Sequence, residues 1–228
     1  LSKLISSGVD VFRINFSHAT HSEVKKIVSH IKDLRQEHNK HVTILGDLQG
    51  PKIRTGKVAN GCVLKKGDQI VFTTNLIENG DNSMVQIGYN LFPKDVKKDE
   101  KVMVDDGKII LKVVKTNRSD EVTLEVIQGG ELKSNKGVNL PNTKISLPAL
   151  TEKDINDAKF AIKNSFDWIA LSFVRSKNDV LMLKELIHSE TKKSMPIISK
   201  IEKPQAIEKL ESILKVSDGL MVARGDLG

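Results

Sequence analysis

Lys200 and Glu202 stand two residues apart at the end of the apolar run "PIISKI". In an extended chain that spacing puts both side chains on one face, so an ammonium and a carboxylate project together. A second charged ending follows, where the run Leu220 to Ala223 breaks into Arg224, Gly225 and Asp226. Glycine at 225 lets the backbone approach a ligand closely, and N–H groups at the start of a following helix favour an anion. Glu202 and Asp226, one carboxylate from each of two successive strands, make a hard-oxygen site with room for waters and substrate oxygens, as Mg²⁺ prefers. A lysine beside such a site suits phosphoryl transfer, where stabilising charge on the moving group is most of the protein's task.

Other strand ends carry similar residues. "VDVFRINF" delivers Arg13, Asn15 and Ser17, then His18; "HVTILGDL" delivers Asp47; "DWIALSFV" delivers Ser172 and then Arg175. Each motif alone has a plainer reading. "SKIE" could be a surface ion pair, "FRINFSH" a strand and a helix cap, and "LGDLQGPKIRTG" a turn; "RGD" could be an adhesion tripeptide. "DDG" at 105–107 reads as a hairpin turn before it reads as a metal site. Those readings leave unexplained why five strands all finish in polar or ionisable groups. In α/β barrels and open parallel sheets the ligand site lies at the carboxyl ends of the strands, so the groups are expected to converge on one mouth.

The elements that must position them follow from periodicity. Residues 9–16 read as a strand; residues 22–38 place Val24, Ile27, Val28, Ile31 and Leu34 on one helical face; residues 41–48 read as a second strand. Strand, helix, strand implies a parallel pair with a crossover. From about Gly56 to Pro141 only short β-rich runs occur, separated by Gly, Asn and Asp turns, which predicts a small β-barrel or sandwich without helices. The first pattern resumes at "SLPALTEKD", where Thr151 is a good N-cap and Ile155, Ala158 and Ile162 form a stripe. Strands at 167–174, 196–201 and 219–224 then alternate with helices at 177–193 and 204–216. The expected fold is therefore α/β with an inserted β-rich lid: residues 1–52 and 146–228 form the body and 53–145 the insert.

Composition bounds the partners. The net charge of +7 suggests anionic ligands, but the lysines are scattered and only nine aromatic residues are present to stack bases. That is weak support for nucleic acid; a solvated lysine-rich surface is the plainer reading, and small phosphorylated ligands share most of what remains. No apolar stretch approaches the roughly 18–20 residues of a membrane span, and the opening "LSKLISSGVD" lacks both a basic leader and an initiator Met, so the sequence reads as part of a longer polypeptide. A single cysteine, Cys62, excludes an internal disulfide framework and points to the cytoplasm.

The segments "FRINFSHATH", "GDLQGPKIRTG", "DDGKI", "KGVNLP", "LPALTEKD", "ALSFVR", "ISKIEKP" and "VARGDLG" together resemble the pyruvate kinase family, in family order. The resemblance implies a (β/α)₈ TIM barrel with a β-rich lid inserted after its third strand, and transfer of phosphoryl from phosphoenolpyruvate to ADP to give pyruvate and ATP in glycolysis. By the same resemblance Lys200 stabilises the transition state and enolate, Arg13 contacts the substrate phosphate, and the backbone at Gly225 and Asp226 receives the substrate carboxylate. Glu202 and Asp226 match the Mg²⁺ (or Mn²⁺) ligands; Asn15, His18, Arg54 and Lys136 fall on nucleotide contacts. Asn15, Ser17, Asp47 and the carbonyl of Leu48 match the K⁺ site. The family's tetramers imply a homo-oligomer.

Two departures accompany the resemblance. Lys52 stands where potassium-dependent relatives usually carry Glu, and Leu48 and Gln49 where they carry Thr and Lys, so the sequence is similar to the potassium-independent branch. The Lys52 ammonium is expected to supply the fixed charge near Asp47 that K⁺ supplies elsewhere. Relative to the family, the first barrel strand, the last two strands and the C-terminal domain are lacking, and this segment alone is expected to be inactive. An inactive or regulatory anion-binding module, or another phosphoenolpyruvate-using barrel, is the alternative reading.

Overall fold

The computed structural model describes residues 1–223. Arg224, Gly225 and Asp226, at the end of the sequence, lie outside the described residues. The chain divides into two compact units: Leu1–Pro51 with the segment from Pro148 onward, and Lys52–Leu147.

The first unit is built on five parallel strands, Val11–Asn15, Thr43–Asp47, Trp168–Leu171, Ile197–Ile201 and Gly219–Val222. They are hydrogen-bonded neighbours in that same order. An order that never reverses is the winding of an α/β barrel, in contrast to a doubly wound sheet with its switch point. Register aligns the carboxyl ends: Asn15 lies opposite Asp47, and Asp47 opposite Ala170. Two further backbone bonds extend the ladder past the strand ends, from Phe16 N–H to the Asp47 carbonyl and from Leu48 N–H to the Ala170 carbonyl, at 3.1 and 3.0 Å. The residues that follow each strand are thus fixed almost as firmly as the strands.

Helices cover the sheet because their apolar stripes demand it. In His21–Glu37, Thr20 forms a capping box with Glu23, and Val24, Val28, Ile31 and Leu34 are buried. Ile27, expected on that stripe, is 39 % exposed. The cluster of Ile5, Leu34 and Val42 covers the far end of the helix, whereas Ile27 belongs to no such cluster. Glu152–Lys163 starts on a Thr151 capping box with Asp154, and Lys177–Glu190 buries Val180, Leu183 and Ile187. The single helix expected over 204–216 is instead two short pieces, Pro204–Glu208 and Leu210–Leu214. At Lys209 the backbone leaves the helical region, with φ −114° and ψ 17°.

The second unit holds a six-stranded sheet in the order Val138–Asn139, Lys101–Val104, Ile109–Thr116, Glu121–Gln128, Gln69–Thr73, Met84–Gln86. A two-stranded ribbon pairs Val63–Leu64 with Gly130–Glu131. Ile109–Thr116 and Glu121–Gln128 alternate buried and half-buried residues, the period of a sheet with one face on a core. That core gathers Phe72, Phe92, Leu111 and Leu124. Single bridges from Arg54 to Gly137 and from Thr55 to Ile87 reach the residues flanking both edge strands, which gives a barrel-like closure. Gln69–Thr73 and Met84–Gln86 run parallel. One detail differs from the helix-free expectation: a four-residue helix, Phe92–Asp95, interrupts the β pattern. Pro93 in its first turn supplies a helical φ and needs no N–H partner there.

Candidate functional site

Past the carboxyl ends of the parallel strands, five residues from four strands or their exits form one hydrogen-bonded cluster. Arg13 donates through Nε to Asp47 Oδ2 at 2.7 Å and places a terminal nitrogen 2.5 Å from the same oxygen. Lys200 Nζ lies 2.9 Å from Ser172 Oγ, 3.0 Å from Glu202 Oε1 and 3.2 Å from Asp47 Oδ1. Ser172 Oγ donates to the Leu48 carbonyl at 2.6 Å. Glu202 Oε2 accepts the backbone N–H of Phe173 at 2.7 Å.

Local structure explains each position. Lys200 and Glu202 meet because a strand returns to the same face every second residue. Asp47 is the final residue of its strand and is buried, while half of the Arg13 side chain is exposed, so the guanidinium stands at the rim of the cluster. Phe173 has φ +54°, a left-handed conformation uncommon for a large residue. That turn aims its N–H at Glu202, and its ring lies 5.3 Å from Lys203 Nζ.

Two cations and two carboxylates are thus packed together, with Lys200, Asp47 and Glu202 buried and Arg13 half exposed. The ammonium of Lys200 has three hydrogens and three acceptors. Withdrawal of either carboxylate would free one N–H for an incoming oxygen. Every buried side-chain nitrogen or oxygen among the described residues has a partner, the members of this cluster included.

The turn after the first strand carries the remaining predicted residues of this unit. Asn15 Oδ1 accepts the N–H of Ser17 at 3.0 Å, and His18 is exposed with its N–H on the Asn15 carbonyl. Lys153 Nζ donates to the Phe16 carbonyl at 2.7 Å and so pins this turn. Arg54 and Lys136 lie together inside the second unit: Arg54 bridges to Gly137 and donates to the Asn135 carbonyl at 3.0 Å, and Lys136 Nζ lies 2.9 Å from Asp105 Oδ1. The "DDG" segment does form a turn between two antiparallel strands, with positive φ at Asp105, Asp106 and Gly107. The hydrogen bond from Lys136, and then that from Lys108, hold the Asp105 carboxyl below its ordinary value. Lys52 is exposed, and the end of its stem is what a Cβ added at Gly137 would meet.

Of the two predicted metal ligands, only Glu202 falls among the described residues. No group of three or more His, Cys, Asp or Glu side chains that could hold a metal ion occurs among them. The chemistry of the donor still fits. Mg²⁺ is bound through one or two carboxylates and completes its shell with water and phosphate oxygens, and Glu202 presents a hard oxygen beside a cation suited to phosphate.

Sequence reasoning missed the backbone N–H of Phe173, since nothing about a phenylalanine signals positive φ. It also missed the reach of Asp154. Gly50 donates its N–H to Asp154 Oδ1 at 2.9 Å, a contact spanning 104 residues.

A sheet of consecutive parallel strands with ionisable groups gathered at its carboxyl end defines the α/β barrel class. The chain belongs to the pyruvate kinase family, whose barrel domain matches residues 1–228. Pyruvate kinase of Thermotoga maritima is 44 % identical over the whole chain, which corresponds to 48 % of that relative. Pyruvate kinase of Clostridium perfringens is 42 % identical over the whole chain and 48 % of its own length, and that of Corynebacterium glutamicum 42 % identical over 99 % of the chain and 47 % of its own. The chain spans about half the length of the curated relatives it matches.

Proposed function

We propose that this chain provides the phosphoryl-transfer centre of a pyruvate kinase. In that reaction the bond between phosphorus and the enol oxygen of phosphoenolpyruvate breaks and a terminal oxygen of ADP forms the new bond, giving ATP. The enolate left behind takes a proton at its methylene carbon and becomes pyruvate. The observation that carries this reading is the Arg13–Asp47–Lys200–Glu202 cluster at the strand ends, in a chain belonging to this family.

Each residue has a physical task. Arg13, fixed on one edge by Asp47 and exposed on the other, is a planar donor for the phosphate of the substrate. Lys200, buried and held by three acceptors, is a preorganised cation for charge that develops on the transferring group and on the enolate oxygen. Asp47 and Ser172 hold the two cations in place. Glu202, with Asp226, would hold Mg²⁺ or Mn²⁺, which when bound neutralises charge on the transferring phosphoryl group. Asn15, His18, Arg54 and Lys136 are assigned to the nucleotide, and the unit Lys52–Leu147 to a lid over it. We further assign the protein to a cytoplasmic homo-oligomer; no helix among the described residues is long and apolar enough to cross a membrane.

The test is a coupled assay of the complete polypeptide with phosphoenolpyruvate, ADP and Mg²⁺. Pyruvate formation dependent on all three is the expected result. Its absence from a folded preparation would retire the reading.

A further inference from the structure

Asp154 sits three residues into a helix and is fully buried. Its Oδ2 serves the ordinary capping box, accepting the Thr151 N–H at 2.9 Å and the Thr151 hydroxyl at 2.6 Å. Its Oδ1 reaches away from the helix to the N–H of Gly50. Gly50 is where the chain is about to leave the barrel unit, and Thr151 is where it has just returned, since the second unit spans Lys52–Leu147. One carboxylate therefore ties the outgoing and returning segments to each other.

Gly50 is also pressed against the catalytic cluster. Its φ of +70° suits glycine, and a Cβ built there would lie 2.8 Å from the Phe173 ring and 3.0 Å from Ser172 Cβ. Ser172 is the hydroxyl partner of Lys200, and Phe173 supplies the N–H that holds Glu202. From Asp154 the chain of contacts runs through Gly50 and residues 172–173 to both Lys200 and Glu202. A helix cap alone needs none of this.

From these contacts we infer that Asp154 is a positioning residue: it clips the two chain crossings together and, through Gly50, holds Ser172 and Phe173 where Lys200 and Glu202 require them. The inference rests on the phosphotransferase reading for its kinetic consequence, but not for its geometry. Asn at 154 has the same shape and one acceptor oxygen, so its NH₂ must face the N–H of either Gly50 or Thr151. Two donors then oppose each other in a buried place, and the clip opens.

The experiment compares Asp154→Asn with Thr151→Ala in the complete polypeptide; the second removes the cap hydroxyl and leaves the Gly50 contact. Hydrogen exchange at the Gly50 amide should speed up in Asp154→Asn and stay slow in Thr151→Ala. In Asp154→Asn, kcat should fall roughly 10- to 100-fold, the scale of a small misplacement of catalytic groups, while KM for either substrate moves far less. Thr151→Ala should lower the melting temperature and keep its kcat. An Asp154→Asn protein that is folded, melts lower and turns over like the parent would overturn the inference, because Asp154 would then be a cap only. Should that variant fail to fold, exchange at the Gly50 amide of the parent decides: protection as slow as that of the strand amides supports the clip, and exchange at the rate of an open loop refutes it. If the parent itself shows no phosphoenolpyruvate-dependent turnover, the functional reading falls, and the exchange measurement still decides the clip.

Discussion

Lys200 Nζ lies 2.9 Å from Ser172 Oγ, and that hydroxyl in turn donates a hydrogen bond to the Leu48 carbonyl 2.6 Å away. Ser172 is therefore the link between the central cation and the backbone of the neighbouring strand exit. Ser172→Ala strands the carbonyl and removes one acceptor from the ammonium. Leaving a buried polar group unpaired costs about 1–3 kcal/mol, so urea unfolding should shift by that amount. Turnover should fall by roughly one power of ten, about 1.4 kcal/mol of barrier, as Lys200 gains freedom. Unchanged values of both would remove Ser172 from the mechanism.

Lys200→Met tests the cation itself. The substitution leaves Asp47 with Arg13 and Glu202 with the Phe173 N–H, so both buried carboxylates keep a donor and the unit should stay folded. Turnover should drop by several powers of ten, each about 1.4 kcal/mol, while titration with Mn²⁺ shows little loss of metal affinity. A variant that turned over normally would remove Lys200 from the chemistry.

How far these residues could be found from sequence depends on the range of the interaction that places them. Lys200 and Glu202 were legible because a strand repeats every two residues. The helix from His21 to Glu37 was legible because Val24, Val28, Ile31 and Leu34 recur at helical spacing. Thr151 was legible as a cap, as was "DDG" as a turn, since both are local choices of the backbone. The contact between Gly50 and Asp154 was not, because it joins segments on either side of a whole inserted unit. Positive φ at Phe173 and the break at Lys209 were hidden for the same reason: tertiary packing, rather than residue type, imposes them. The convergence of Arg13 and Asp47 required the parallel pairing of their strands, which the strand–helix–strand pattern did announce.

The inserted unit carries its own acid-sensitive contact. Asp105 is hydrogen-bonded by Lys136 and then Lys108, and its carboxyl is lowered from the ordinary 3.8. A carboxylate lowered on folding adds stability above its unfolded value; that stability disappears as pH falls through the lower folded value. The contact is therefore intact near neutrality and is lost only below about pH 3.8. Carboxyl NMR titration should place Asp105 below 3.8 in the parent and closer to it in Lys136→Met. On the proposed nucleotide role of Lys136, the same variant should raise KM for ADP and leave that for phosphoenolpyruvate nearly unchanged, because a nucleotide phosphate would take over the ammonium that Asp105 now holds. Coincident titration curves for the two proteins would show that Lys136 does not govern Asp105.

Potassium dependence is the last outcome to be checked, and the barrel unit supplies its physical basis. Three of the four groups assigned to a K⁺ site already have internal donors; Asp47 takes Arg13 and Lys200, and the Leu48 carbonyl takes Ser172. Asn15 Oδ1 is likewise held by the Ser17 N–H. A monovalent cation would have to displace these donors. We propose that the Lys52 ammonium further replaces the charge of that ion. Turnover of the complete polypeptide should therefore persist when potassium is exchanged for tetramethylammonium at constant ionic strength. Lys52→Glu should lower that turnover and make it rise again with added K⁺, since the carboxylate restores a cation-attracting charge. A parent enzyme that lost its activity without potassium would show that the internal donors do not substitute for the ion.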